Sequence, residues 1–159
     1  MPLQEIYIPD IFENIVAKVS TKLTTKLALI ESTITGVHFL TGHYSEIRQR
    51  LQSKTNSISQ KNTKYPLVCL FQDFIEEKGE DGFHASLNLQ MIIVYHTASK
   101  DYVEDRRDKV FLPILYPIYY ELLRQIKASG KFQLFDESQI PHKKIDRPHW
   151  GNPAQYGNE

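Results

Sequence analysis

Residues 65–131 constrain the fold of this chain more than any other stretch. They hold an apolar run, an acidic turn, an alternating run and a long amphipathic segment interrupted by prolines. In LVCLF, at 67–71, every position is apolar. A strand of that composition is covered on both faces, because an exposed face would carry polar residues. Further on, Leu87, Leu89, Met91, Ile93 and Tyr95 alternate with Ser86, Asn88, Gln90, Ile92, Val94 and His96. This period of two predicts a strand with one apolar face and a second face that becomes buried toward its end. Together the two runs predict an antiparallel hairpin whose loop, of about ten residues, projects from the sheet.

Asp101 and Glu104 have the spacing of a capping box, which opens a helix predicted to run to residue 129. Phe111, Leu115, Ile118, Leu122 and Ile126 give it a continuous apolar face, flanked by Tyr119 and Leu123. Pro113 and Pro117 each remove a backbone donor and crowd the preceding turn, so the helix must kink or restart there. Gly130 suits the position just past the helix end, and KFQLF at 131–135 could add a last strand.

Near the N-terminus, Asp10 and Glu13 suggest another capping box, just after Pro9. Ile11, Ile15, Val19 and Leu23, with Phe12 and Val16 alongside, predict a helix over 10–23. A short strand is expected at 33–40, and a short polar helix capped by Ser45 at 45–54. Residues 53–64 hold no large apolar side chain except Ile58 and predict a loop. The expected fold class is α+β: a small, mostly antiparallel sheet flanked by an N-terminal helix and a long Pro-kinked helix. One domain is expected over 1–135, followed by an extended C-terminal tail over 136–159.

At 159 residues, with 41% hydrophobic and 24% charged content, the chain can bury a core without disulfides. Lys plus Arg and Asp plus Glu are both 19, so no global positive field recruits nucleic acid or anionic membrane. Cys69, the only cysteine, sits in the apolar run and predicts a buried small hydrophobe; no intrachain disulfide can form. No signal peptide and no apolar run long enough for a membrane helix is visible, so synthesis in a cytoplasm is expected.

The sequence carries none of the common catalytic or metal-binding motifs. The six histidines (His38, His43, His84, His96, His142 and His149) form no HExxH and no zinc spacing with a cysteine. No G-x-S-x-G, Walker or dinucleotide-binding pattern occurs. Glu76, Glu77, Glu80 and Asp81 flank turn glycines, where solvated charge is expected rather than a carboxylate dyad. The mixed run DYVEDRRDK at 101–109 reads as a solvated helix start, with partner docking as the functional alternative. Tyr116, Tyr119, Tyr120 and Trp150 could stack on bases, but at helical spacing packing in a core or interface is the stronger reading.

The segments KYPLVCLF, LNLQMIIVYHT and DRRDKVFLPILYPIYYELLRQI, in this order after an N-terminal helix, resemble the tail terminator and tail-completion (head–tail joining) proteins of tailed phages. The resemblance implies a non-enzymatic structural subunit with no cofactor and no obligatory metal. It implies partners as well: further copies in a hexameric or dodecameric ring, and portal, adaptor or tail-tube proteins. DNA would be met only by passage through the ring lumen, no membrane would be involved, and the location would be the virion. The alternative is a nucleic-acid-associated module using the basic residues of 48–64.

Subunit contacts are expected where opposite charges gather. Glu76, Glu77, Glu80 and Asp81 would meet Arg48, Arg50, Lys54 and Lys64 of a neighbour. The tail would order mainly on a partner, with Ile140, Ile145, Trp150 and Tyr156 as anchors.

Overall fold

The computed structural model describes residues 7–57, 59–72, 74–80, 85–98, 100–132 and 140–146. Helix α1 (Ile8–Ile30) leads to strand β1 (His38–Gly42) and helix α2 (Tyr44–Asn56). Strands β2 (Leu67–Phe71), β3 (Glu76–Lys78), β4 (Ala85–Leu87) and β5 (Gln90–Val94) follow. A short α3 (Val103–Arg106), a π-helical segment (Arg107–Leu115) and α4 (Tyr116–Ala128) complete the regular structure. The class is α+β with a small sheet, as expected, and with the N-terminal and the long C-terminal helix in place.

The apolar run at 67–71 is the central strand. The main sheet has the order β1-β2-β5, with β1 parallel and β5 antiparallel to β2. The register aligns Phe39, Val68 and Ile93 across one face, and Leu40, Cys69 and Ile92 across the other. The first face packs on α1, the π-helical segment and α4, through Ile15, Val16, Val19, Ile114, Ile118 and Leu122. The second packs on α2 through Ile47 and Leu51. Val68 and Cys69 are both 0% exposed, which is why no polar residue interrupts the run.

The alternating run does not form one strand. β2 ends at Phe71, opposite Gln90, so only 90–94 find ladder partners on it. Residues 85–87 pair instead with 76–78 in a separate two-stranded ribbon. The predicted hairpin loop therefore carries a second hairpin. Strand β1 also begins later than expected, at His38, because β2 starts only at Leu67 and residues 34–37 lie opposite no strand. Ile34 and Val37 reach the core from a loop instead.

Helix ends depart from the expected caps. The N-cap of α1 is Tyr7, with Pro9 in the first turn and Asp10 placed favourably at the positive end of the dipole. The helix continues past Leu23 to bury Leu27, while the Thr21 and Thr24 hydroxyls donate back to the carbonyls of Ala17 and Ser20. His43, not Ser45, caps α2, its Nδ1 accepting from the Ser45 N–H. The second capping box is shifted by one residue: Asp105 accepts from the Tyr102 N–H at 3.3 Å. Asp101 instead closes the preceding turn, accepting from the Ala98 N–H at 3.1 Å.

At the two prolines the chain changes its winding. The π-helical turns span Pro113, and α4 restarts with Pro117 in its first turn. The Tyr116 N–H donates to the Phe111 carbonyl, five residues back. A wider turn moves the carbonyl that a proline ring would otherwise strike. Gly130 follows α4 with φ +61°, as its position past the helix end requires. Most of KFQLF lies outside the described residues, and Lys131 and Phe132 form no strand; Phe132 packs on Phe12 with ring centroids 5.6 Å apart.

Two glycines serve close approaches. A Cβ at Gly36 would sit 2.8 Å from Ser20 Oγ, the atom that accepts the Val37 N–H. Gly42, at φ +139°, turns β1 into α2, and a Cβ there would lie 2.5 Å from a Glu46 carboxylate oxygen. Gly42→Ala should cost about 1–3 kcal/mol of stability, because strain and contact coincide. Gly130→Ala, with open space around it, should cost about 1 kcal/mol. Urea unfolding midpoints of the two variants check this order.

Candidate functional site

Two buried side chains with chemical potential, Cys69 and Glu121, are held in structural roles. Cys69 is buried on β2, and burial pushes its thiol up to about 12, out of the range of a reactive thiolate. Glu121 is a buried carboxylate on α4 that the sequence reading missed. It accepts from Gln125 Nε2 at 2.6 Å and Arg124 Nε at 2.9 Å, so its lone pairs are occupied from its own helix. Its position in the apolar stripe of α4, followed by Arg three residues later, was the signal available. Among the described residues no group of three or more His, Cys, Asp and Glu could hold a metal ion. No helix among them is long and apolar enough to cross a membrane.

The predicted charged edges fall on two separate elements. Glu76 and Glu77 belong to β3 and Glu80 to the turn after it, while Asp81 lies outside the described residues. The β3–β4 ribbon makes at most isolated contacts with any other element among the described residues. It stands off the body as an arm, with Glu77 and Glu80 exposed. Arg48 and Arg50 project from α2 into solvent. All of the basic set except Arg48 also has a partner within the chain. Arg50 pairs with Glu46 at 3.0 Å, Lys54 Nζ donates to the Thr63 carbonyl at 3.0 Å, and Lys64 Nζ donates to Thr55. Burial also draws the Lys64 ammonium below its usual pKa. No ion pair joins Glu77 or Glu80 to these bases among the described residues.

A third surface was legible only in part. The tyrosines at 116, 119 and 120 do not enter the core as a set. They form edge-on contacts along the outer side of α4, with Tyr116–Tyr120 centroids 6.4 Å apart and Tyr119–Tyr120 5.0 Å apart. Phe111 extends the row through Tyr116 at 6.2 Å. Against this face lies the segment 140–146, which has no regular secondary structure. The Lys144 ammonium sits 3.9 Å from the Tyr116 centroid and 5.3 Å from that of Tyr119. Tyr116 donates its hydroxyl to Asp146 at 3.0 Å, and Tyr119 is hydrogen-bonded to His142 Nε2. Asp146 also pairs with Lys144 at 2.9 Å. Of the predicted tail anchors, Ile145 is exposed, while Trp150 and Tyr156 lie outside the described residues.

Comparison of the chain with family models, curated proteins and solved structures gave no match.

One titration follows from these surroundings. His38, on β1, has a buried Nε2 without a hydrogen-bond partner among the described residues. Burial, and then the Lys54 ammonium, draw its pKa below the usual 6.5. The unfolded chain therefore takes up this proton first as pH falls. The contribution of neutral His38 is complete above 6.5 and is lost as pH drops through that value toward the lower folded pKa. Unfolding midpoints should fall between about pH 7 and about pH 5, and should fall less in His38→Gln. An equal fall in both proteins would exclude His38 as a source.

Proposed function

We propose that this chain is a structural ring subunit of a tailed-phage particle, placed at the head–tail junction or the tail end as a terminator or connector. The observation that carries the reading is the β3–β4 arm. A two-stranded ribbon with at most isolated contacts to other elements among the described residues is marginal in water at best. An arm of this kind gains its stability when a second surface covers it, and assembly supplies that surface. The resemblance of 65–131 to tail terminator and tail-completion proteins supplies the kind of assembly.

In this reading each subunit offers Glu76, Glu77, Glu80 and Asp81 to the exposed arginines of the next, Arg48 and Arg50, with Arg50 shared with Glu46 of its own helix. Contacts between unlike patches are head-to-tail, and they close into a ring when the rotation permits. Each exposed pair contributes under about 1 kcal/mol, so the charges select neighbour and register more than they set affinity. Lys54 and Lys64 belong to the same basic surface, but their bonds to Thr63 and Thr55 leave them less to offer. The same bonds reduce the support for the nucleic-acid alternative on 48–64. The partners are further copies of the chain and the portal, adaptor or tail-tube proteins above and below, with DNA passing through the lumen. The location is the virion.

Reversing Glu76, Glu77, Glu80 and Asp81 to lysine should lower the native mass measured by sedimentation. Adding Arg48→Glu and Arg50→Glu should partly restore it. An unchanged mass in the acid-reversed protein would defeat the paired-edge model. A reconstruction of the parent particle with this chain as an isolated peripheral monomer would defeat the ring.

A further inference from the structure

We infer that residues 140–146 form an exchangeable strap, which in the assembled protein lies on the Tyr116–Tyr119 face of a second copy of this chain. The inference rests on the self-association proposed above and names a contact that holds copies together. Its basis is that strap and face are chemically matched at three points. A lysine ammonium lies over two tyrosine rings, a carboxylate accepts one tyrosine hydroxyl, and an imidazole meets the other. A face that selects this arrangement in its own chain selects it equally in an identical chain.

The closed form is held by weak ties. Every polar contact between strap and helix lies at the exposed surface, where ion pairs and cation–π contacts are individually weak. No backbone hydrogen bond joins 140–146 to the rest of the chain among the described residues. Release therefore breaks no helix or ladder. On the strap and on the helical stretch 107–128 apolar surface stays incompletely covered: Leu112 is 51% exposed, Tyr120 63% and Ile145 55%. A strap closing on its own helix leaves that surface wet, whereas a neighbouring body brought against it would cover it.

Seven residues, 133–139, lie between Phe132 and Ile140, a span of roughly 25 Å when extended. Exchange of an identical element forms the same bonds between copies as within one, which makes it a low-cost route to association. When each strap passes to the next copy in one direction, the contact is head-to-tail, as a ring requires.

The test uses the full chain with single cysteines at exposed positions that make none of the three contacts. Leu112→Cys and Ile145→Cys are prepared separately, mixed under assembling conditions and treated with a short bis-maleimide. The unmodified chain, with its buried Cys69, is the blank. Exchange predicts a two-chain product from the mixture, several-fold above that from Leu112→Cys mixed with Ser53→Cys, a position on α2. Should either variant fail to fold, Tyr120→Cys with Lys143→Cys repeats the measurement. A raised native mass with no product above the Ser53 control overturns the strap and leaves the ring reading standing. A monomeric mass at every concentration overturns both.

Discussion

Burial of β2 on both faces is the constraint on which the rest of this molecule depends. Four buried residues in succession, Leu67 to Leu70, need a strand on each edge and a helical layer on each face. The edges are filled by β1 and β5, and the faces by α1 with α4 and by α2. Exposing even one of these side chains would forfeit about 1.5–3 kcal/mol. Among the described residues no helix packs closely on the three-residue strands β3 and β4, and they are the part of the sheet structure that leaves the body.

The prolines of the long helix shape what α4 can present. π-helical winding spans Pro113, and the helical stretch on either side of it buries Val110, Ile114, Ile118 and Leu122 in succession. Its opposite side is then committed to the surface, and that side holds Tyr116, Tyr119 and Tyr120. Tyrosine suits such a place, because a ring supplies apolar area while its hydroxyl remains available to an incoming partner. The strap at 140–146 uses both properties, with Lys144 on the rings and Asp146 and His142 on the hydroxyls. Ring assembly would give the arm and this face the same role, as surfaces that their own chain leaves partly uncovered.

The amino-acid pattern by itself determined the class of the fold. Apolar runs with periods of one, two and about three and a half residues placed β2, part of β5, α1 and α4. Burial of Cys69 was equally legible, since its neighbours on both sides are apolar. These features depend on local composition, which a sequence carries in full. The division of 85–96 between two ladders was not legible, because a strand extends only as far as a partner offers hydrogen bonds, and the end of β2 sets that limit. The helix caps moved by one to three residues for a similar reason: several polar residues near each start could cap, and packing chooses among them. Engagement of Lys54 and Lys64 by Thr63 and Thr55, and the laying of 140–146 on the tyrosines, join positions that no periodicity connects. Only the tertiary structure decided those, because a contact between distant residues depends on where the whole chain has placed both of them.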